Sequence, residues 1–328
     1  MTDAKTDRPP RVLYITGWMR SGSTLLGNLL NELPGVRHVG ELHYLWRNGV
    51  LGTGTNSTCG CGAAVRDCPL WSDVLAAFAA TTPEAAAPEA IARHLTMRQR
   101  ALLRTRHTRT RLAESLGTAA PAPGVEELTG HTARIYRLLA ERGADRLIVD
   151  GSKYPAEAAA LLGRTDLDVR VLHIVRDPRA TALSYRRGKE YIDPMSPARS
   201  TGYWTAFNLA SELIGEAAAG RYLRIRHEDL SRAPGRTVTE VLRFAGLDDD
   251  SPVDASGTVE LGVNHTVTGN PDRLRRGTTT IRPDERWRTE LGARDLVAAT
   301  GIAAPLLARY RYPLRPGRGP EPVAARAS

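Results

Sequence analysis

Residues 16–26 combine the side chains most able to do chemistry: two glycines, several hydroxyls and an arginine, between a strand-like run and a helix-like run. A glycine-bearing turn from strand to helix directs backbone N–H groups and the positive end of the helix dipole at one anion. Gly17 and Gly22 have the spacing of a phosphate-binding loop, but Ser23 stands where the nucleoside-triphosphatase version carries lysine. The cation is Arg20, inside the loop. The segment therefore predicts binding of a phosphate-like anion other than the γ-phosphate of ATP.

A second anion site is predicted after the apolar run at 169–175. Arg176 leaves the end of that run, and Ser184 follows eight residues later, about two helical turns on, so both can face one crevice. A guanidinium fork and a hydroxyl suit a phosphate. Between them, Asp177 and Pro178 favour a helix start, as cap and first helical residue. Two anion sites at the ends of two strands indicate a nucleotide with phosphates on two carbons.

The elements that must position these residues alternate in kind along the chain. Strand-like apolar runs lie at 11–16, 36–39, 146–149, 169–175 and 222–225. Helix-like patterns separate them, whereas 250–283 is mostly loop. Such alternation predicts an α/β fold of three layers, with a central parallel sheet and helices on both faces, as in P-loop-containing nucleotide hydrolases. Ligands bind these sheets at the carboxyl ends of the strands, where both anion motifs fall.

Length and composition are those of a globular chain with a basic surface. For the 328 residues we expect a disordered tail at 1–10, one domain at 11–312 with an inserted loop and helical region at about 46–145, and a flexible tail at 313–328. Lys and Arg number 45 against 36 Asp and Glu, and the net charge of +9 favours anionic ligands. The sequence lacks an apolar run of about 18 residues and an N-terminal apolar h-region, so we expect no membrane span and a cytoplasmic location. The oligomeric state stays open.

Taken together, the two motifs resemble those of the sulfotransferases that use 3′-phosphoadenosine-5′-phosphosulfate (PAPS). The resemblance runs from 11 to about 300 and is weakest at 50–145. It implies that PAPS is the co-substrate and that Arg176 and Ser184 hold its 3′-phosphate. It also implies that the first loop holds the 5′-phosphosulfate, through Arg20, Ser21, Gly22, Ser23, Thr24 and Leu25. Arg20 stands where the family usually carries lysine.

Two later segments fit the same resemblance. Residues 222–230 look like the family's strand that ends in Tyr-Glu-Asp-Leu, with His227 where tyrosine is common, so the imidazole is expected near the adenine. Residues 269–277 resemble the late loop whose basic residues close over the 3′-phosphate. We expect Arg275 or Arg276 to make that contact, with Gly277 beside them.

Sulfuryl transfer needs a base for the acceptor hydroxyl and a cation for the leaving oxygen. Glu41 follows a strand directly, and its Gly-Glu pair resembles the protein-tyrosine sulfotransferase pattern, so we expect Glu41 to be the base. The cytosolic branch uses histidine, which leaves His43 and His38 as alternatives. Lys153, after another strand, resembles the lysine that supports the leaving group, and Arg20 would act with it. No metal is required for this in-line displacement, because protein cations take over its role.

The predicted acceptor is a hydroxyl of a small molecule, carbohydrate or lipid, bound in part by the insertion at about 46–145. Nucleic acid is not expected as a partner, because no nucleic-acid-binding motif accompanies the basic charge. Two rival functions stay open. One is a P-loop small-molecule kinase or phosphotransferase that uses ATP and Mg²⁺, which predicts lysine where Ser23 stands. The other is a non-catalytic basic protein that binds nucleic acid with steeply salt-dependent affinity.

Several of these candidates also have a purely structural interpretation. Lys153 could pair with Asp150, and Glu41 could be a surface carboxylate, as most glutamates are. His227 could be an ordinary histidine at a helix start. An Arg-Asp-Pro sequence could likewise do no more than begin a helix.

Three cysteines, Cys59, Cys61 and Cys68, lie close together in the sequence. Their odd number argues against a disulfide framework. Their thiolates could form most of a zinc site with His43 or Asp67 as fourth ligand, although the spacing matches no standard zinc pattern. A bond from Cys59 or Cys61 to Cys68, or buried thiols without a ligand, are the other interpretations. We therefore assign no residue to a metal.

Overall fold

A central sheet of five parallel strands organises the fold. The structure is a computed structural model, and it describes residues 8–81, 88–143, 145–187 and 193–315. The strands of the sheet, in chain order, are β1 (Arg11–Thr16), β2 (Val36–Gly40), β3 (Leu147–Lys153), β4 (Asp168–Val175) and β5 (Tyr222–Arg226). They lie in the order β2-β3-β1-β4-β5. The predicted α/β fold with a parallel central sheet is confirmed.

Helices connect the strands and continue beyond the last of them. In the described ranges they are α1 (Ser23–Asn31), α2 (Pro69–Ala80), α3 (Pro88–Leu102), α4 (Thr108–Ser115), α5 (Val125–Gly143), α6 (Pro155–Leu162), α7 (Pro178–Arg186), α8 (Pro197–Ala217), α9 (His227–Arg232), α10 (Pro234–Phe244), α11 (Trp287–Glu290) and α12 (Ala293–Arg309). None of these helices has the length and hydropathy of a membrane-spanning segment. The predicted tails fall largely at 1–7 and 316–328, outside the described residues.

Alternate side chains of β1 enter two different apolar clusters. Val12 and Tyr14 pack with residues of α2, α5 and α6, whereas Leu13 and Ile15 pack with residues of α1 and α10. Successive side chains of a strand point to opposite faces of the sheet. The two clusters therefore lie on opposite faces, which gives the three layers that the alternation of elements predicts.

A second, two-stranded sheet lies in the stretch that we expected to be mostly loop. β6 (Thr258–Leu261) pairs antiparallel with β7 (Gly277–Thr280), so the prediction for 250–283 is wrong at these residues. The two strands are four residues long and rich in threonine, and they give too short a pattern to recognise. Between them, residues 264–274 return to β2 and bring side chains to the site described below.

The chain forms two compact units, one of Met1–Val175 with Ala206–Pro283 and one of Arg176–Thr205 with Asp284–Ser328. The sheet and the two apolar clusters belong to the first. In the second, Leu183 of α7 packs against Leu291, and the buried guanidinium of Arg179 lies 4.4 Å from the ring centroid of Trp287. The domain limits given above stay predictions.

Candidate active site

The loop between β1 and α1 has a backbone that suits close contact with an anion. Gly17 has φ 124°, and a Cβ there would lie 2.3 Å from the carbonyl oxygen of Ile174, so only glycine fits. Gly22, with φ 90°, caps α1, whose first intrahelical bond runs from Leu26 N–H to the Gly22 carbonyl oxygen at 3.1 Å. The N–H groups before Leu26 have no partner within a helix and can turn to a ligand.

A pocket opens where the start of α1, the ends of β2 and β3, and the 268–273 segment meet. Its lining residues are Ser23, Thr24, His38, Gly40, Glu41, Gly151, Lys153, Thr268, Gly269 and Arg273. The structure thus brings together the loop hydroxyls, the expected base and the expected lysine, which lie far apart in the sequence. The carboxyl ends of the strands form this pocket, as expected for a parallel sheet.

Glu41 and Lys153 form an ion pair within that pocket. Lys153 Nζ donates to Glu41 Oε1 at 2.5 Å and to the Gly151 carbonyl oxygen at 2.9 Å. The two side chains are only 15% and 7% exposed, so little water screens the pair. Lys153 therefore pairs with Glu41 and not with Asp150, the partner in the structural interpretation.

Asp150 instead holds the end of β3 to the segment that follows Glu41. Its carboxylate accepts from Tyr136 Oη at 2.6 Å and from Ser152 N–H at 2.8 Å. Burial, and then the nearby charge of Glu157, raise the pKa of Asp150 to about 6. Ser152 Oγ donates to Asp150 and accepts from the N–H of His43 at 2.9 Å. This chain of bonds fixes the backbone two residues after Glu41.

Three residues around the site have left-handed backbone although none is glycine. Arg20 has φ 69°, Lys153 has φ 75° and Thr268 has φ 54°. Such a conformation costs on the order of 1–3 kcal/mol and persists only where the surrounding structure imposes it. At Lys153 it coincides with a register shift between β1 and β3, which interrupts the regular strand and turns the lysine into the pocket.

The two alternative bases are in different surroundings from Glu41. His38 is 2% exposed, and burial first, then the charges of Lys153 and Arg273, lower its pKa to about 3. The ring of His43 lies 4.2 Å from that of Tyr154, and its Nδ1 contacts Glu157 Oε2 at 2.8 Å. His38 lines the pocket, whereas His43 does not.

His227 lies directly against the loop. It is the first residue of α9, as its structural interpretation supposes. A Cβ on Gly22 would lie 2.3 Å from His227 Nδ1, so the imidazole packs on the glycine that caps α1. Ser21, in the same loop, is 1% exposed, and its Oγ has no hydrogen-bond partner in the described part of the chain.

Arg273 is the pocket cation that sequence reasoning did not select. It is 1% exposed and donates from Nη2 to the Thr58 carbonyl oxygen at 2.8 Å, while Nε and Nη1 have no hydrogen-bond partner among the described residues. Arg275 and Arg276, which we expected at the 3′-phosphate, are exposed and absent from the pocket lining. Three arginines within four residues look alike in the sequence, and only the turn that begins at Asn270 sets which one points inward.

Arg176 and Ser184 belong to the second compact unit. Asp177 accepts from Arg179 N–H and Pro178 is the first residue of α7, so the predicted helix start is confirmed. The Arg176 side chain is 12% exposed and lies 3.4 Å from Asp284 Oδ2. Ser184 lies half-buried on α7. Their assignment to the 3′-phosphate stays a prediction.

Comparison with known proteins decides the family. The profile described as "Sulfotransferase family" matches residues 10–251, about three quarters of the chain. The protein belongs to the sulfotransferase family. The matched region contains the loop at 16–26, Glu41, Lys153, Arg176 and His227, and it ends before Arg273.

Curated sulfotransferases match a limited part of the sequence. Carbohydrate sulfotransferase 3 of Homo sapiens is 33% identical over 100 residues, which are 25% of this chain and 21% of that protein. The Mus musculus protein of the same name is 33% identical over 99 residues. The match thus spans about a fifth of the length of these curated relatives.

Solved sulfotransferase domains share the fold over nearly the whole chain. The sulfotransferase domain of the Synechococcus PCC 7002 olefin synthase has a TM-score of 0.54 and 23% identity, covering 94% of this chain and 98% of that one. The sulfotransferase domain from the curacin biosynthetic pathway has a TM-score of 0.52 and 19% identity, covering 94% and 100%. The resemblance inferred from the two sequence motifs is confirmed for the family and the fold.

Proposed function

We propose that this protein transfers the sulfuryl group of PAPS to a hydroxyl of a small-molecule, carbohydrate or lipid acceptor. The observation that carries the proposal is the Glu41–Lys153 ion pair, which lines one pocket with the first residues of α1. A carboxylate can act as the base, an ammonium can support the leaving oxygen and a helix N-terminus can bind the anionic group, so together they suit in-line transfer to a hydroxyl. The sulfotransferase family match narrows that anionic group to sulfuryl.

The residues present fit a donor with a phosphosulfate group. Ser21 Oγ and the Nε and Nη1 atoms of Arg273 are buried and have no hydrogen-bond partner in the described residues. Buried polar groups are normally paired, so donors left unpaired beside a cationic pocket favour an anionic ligand. PAPS, when bound, supplies the activated sulfuryl group and leaves as adenosine 3′,5′-bisphosphate. Arg176 and Ser184 are proposed to bind its 3′-phosphate, and His227 to lie near its adenine.

Glu41 is proposed to accept the proton of the acceptor hydroxyl. His38 is a weaker base than an ordinary histidine, because burial lowers its pKa to about 3. His43 directs Nδ1 to Glu157 and lies outside the pocket lining. Glu41 is the pocket carboxylate, and Lys153 holds it in place.

Lys153 can hold Glu41 and still serve the leaving group. An ammonium has three N–H donors. Within the described chain, one reaches Glu41 and one reaches the Gly151 carbonyl oxygen, so the third is available for the bridging oxygen of the leaving group. Arg20, Arg273 and the N–H groups at the start of α1 add positive charge around the sulfuryl oxygens. We therefore expect transfer without a divalent metal.

Aromatic side chains suggest where the acceptor binds. Tyr44 and Tyr154 follow Glu41 and Lys153 closely in the sequence, and their hydroxyls lie 2.8 Å apart. Phe207 is buried and supports Tyr154, with their ring centroids 6.0 Å apart. Aromatic faces bind the flat apolar sides of sugars and of lipid or ring compounds. This supports an acceptor that presents a hydroxyl on such a surface.

Nucleotide selectivity tests the donor. Adenosine 3′,5′-bisphosphate should raise the unfolding temperature, and ATP with Mg²⁺ should raise it less, because the proposed site binds phosphates on two carbons. Stabilisation by ATP with Mg²⁺ alone would favour the kinase interpretation. Labelled PAPS should then transfer sulfate to members of a panel of sugars, lipids and phenols. Salt-sensitive nucleic-acid binding with no transfer to any hydroxyl would favour the nucleic-acid-binding alternative.

A further inference from the structure

Three sulfurs and one imidazole meet beside the pocket. Cys59, Cys61 and Cys68 come from the loop before α2, and His265 comes from the segment between β6 and β7. Their four potential ligand atoms all lie within 4.8 Å of one another. Cys59 and Cys68 are fully buried, and the other two are half-buried. We call these four residues the Cys₃His cluster.

The separations within the cluster suit a tetrahedral metal. Sγ atoms of Cys59 and Cys68 are 3.4 Å apart, and His265 Nδ1 lies 3.2 Å from Cys68 Sγ and 3.8 Å from Cys59 Sγ. With metal–ligand lengths of about 2.3 Å for sulfur and about 2.0 Å for nitrogen, a tetrahedron places its ligand atoms about 3.5–3.8 Å apart. A disulfide would need about 2.05 Å, so Cys59 and Cys68 are separate thiols.

We propose that the Cys₃His cluster is a structural zinc site. Three thiolates and an imidazole form a ligand set typical of zinc, and four protein ligands close the tetrahedron. The fourth ligand is His265 and not His43 or Asp67, the two residues weighed from the sequence. His43 is instead bonded to Glu157, and neither residue is a member of the cluster.

Hydrogen bonds around the cluster already fix its ligands. Trp71 Nε1 donates to the His265 carbonyl oxygen at 2.7 Å, which holds the imidazole-bearing segment against α2. Cys59 N–H donates to the Ala63 carbonyl oxygen at 2.7 Å, and Gly62, with φ 99°, closes the turn between the first two cysteines and the third. Such supporting contacts orient metal ligands before the metal binds.

The zinc would join two segments 206 residues apart at Cys59 and His265. The same two segments hold Arg273, because its Nη2 donates to the Thr58 carbonyl oxygen and its own carbonyl oxygen accepts from Asn264 Nδ2 at 2.7 Å. Gly60 N–H also donates to the Thr266 carbonyl oxygen at 2.9 Å. The zinc therefore holds Arg273 in the pocket and takes no part in the transfer itself. Zinc binding does not depend on the proposed reaction.

Metal content of the full-length chain tests the site. The protein, purified with its thiols reduced and no added chelator, should contain one zinc per chain by elemental mass spectrometry. Cys61→Ser and His265→Ala should both lose it. His94→Ala is the matched control, because His94 contacts Glu127 at the surface and should leave zinc unchanged. Unchanged zinc in both cluster variants, or a reduced wild-type chain that binds no added zinc, would overturn the proposal.

Cobalt substitution keeps the proposal testable if a variant does not fold. Wild-type protein loaded with Co²⁺ should show visible bands of a tetrahedral ion and a thiolate-to-cobalt charge-transfer band in the near ultraviolet. An octahedral cobalt spectrum without thiolate bands would reject the ligand set. Removal of zinc by a chelator should also speed amide exchange at 264–273. Faster exchange at other segments alone would contradict the role of zinc in holding Arg273.

Discussion

Lys153 is the residue on which the proposed chemistry depends most. It is almost completely buried, it has left-handed backbone, and its ammonium bonds both the carboxylate of Glu41 and a backbone carbonyl. A buried ammonium needs such partners, because desolvation without them is unfavourable. In the proposed mechanism, Glu41 would accept the proton of the acceptor hydroxyl and Lys153 would donate to the leaving oxygen.

Glu41→Gln tests the base. The amide keeps an acceptor for Lys153 but cannot take a proton, so transfer should slow by roughly 10²-fold or more while bisphosphate affinity stays similar. Rates with saturating PAPS and calorimetry with bisphosphate measure the two effects. Glu260→Gln, at an exposed position on β6, should leave both unchanged. Full activity of Glu41→Gln would move the base to His43 or His38.

Arg273→Gln tests whether the buried arginine contributes to transfer more than its exposed neighbours do. Loss of a charge-assisted contact should lower kcat/KM by roughly 10- to 100-fold. Arg273→Lys tests charge without the fork, and the unfolding temperature shows whether each variant still folds. Arg275→Gln and Arg276→Gln are the controls. Unchanged kcat/KM of a folded Arg273→Gln variant would contradict its place beside the sulfuryl group, and weaker bisphosphate binding by either control would support the 3′-phosphate contact expected from the sequence.

His38→Gln should change how stability depends on pH. The pKa of His38 is about 3 in the folded protein, below its ordinary 6.5, so the unfolded chain binds the proton first and stability falls as pH drops below 6.5. Between pH 6.5 and 4.5, protonation of His38 in the unfolded chain should lower the free energy of unfolding by roughly 2 kcal/mol. Urea unfolding should show that His38→Gln loses about 2 kcal/mol less unfolding free energy over this pH range than wild type does. Exposed His94→Gln serves as control, and equal slopes for His38→Gln and wild type would contradict the pKa shift.

At the scale of elements, the segment at 266–268 completes the site by running beside the end of β2. Val267 N–H donates to the Val39 carbonyl oxygen, and Glu41 N–H donates to the Val267 carbonyl oxygen at 2.9 Å. Gly40, between them, has φ 78°, and a Cβ there would lie 2.4 Å from the Val267 carbonyl oxygen. The expected base is thus positioned by a contact that only glycine permits.

Gly40→Ala should therefore damage both stability and turnover. The methyl group must displace the Val267 backbone and adopt a strained φ, which should cost on the order of 2–4 kcal/mol of unfolding free energy. Denaturant unfolding and initial rates measure these effects. Gly202→Ala is the control, because Gly202 is exposed on α8 with open space around its Cα and should be neutral or stabilising. A Gly40→Ala variant as stable as wild type would show that the segment can move.

For the whole molecule, the sequence predicts what depends on local pattern. The parallel strands, the loop glycines and the Asp177 cap follow from apolar runs and turn chemistry within a few residues. The positions of Arg273 and His265 do not, because a short antiparallel sheet and contacts with residues more than 190 positions away determine them. The sequence also does not predict that β3 continues to Lys153, because Asp150-Gly151-Ser152 has the composition of a turn.

Arg176→Ala tests the second motif. Removal of the guanidinium should weaken bisphosphate binding by on the order of 2 kcal/mol, which is about 30-fold, because a charge-assisted contact is lost. Calorimetry measures the affinity directly. Arg186→Ala, on the exposed side of α7, should bind as wild type does. Equal affinity of Arg176→Ala and wild type would remove Arg176 from the donor site.

The left-handed residues Arg20, Lys153 and Thr268 have a consequence for attempts to make the chain more stable. Glycine would occupy each of these backbone positions with less strain, yet the chain keeps a long cation at two of them and a hydroxyl at the third. At Lys153 and Thr268 the side chain offsets part of that strain, because the ammonium bonds Glu41 and the hydroxyl donates to the Asn56 carbonyl oxygen. Replacement of Lys153 by glycine would relieve the backbone but leave the carboxylate of Glu41 buried without its partner, so glycine is not a route to a more stable chain at this position.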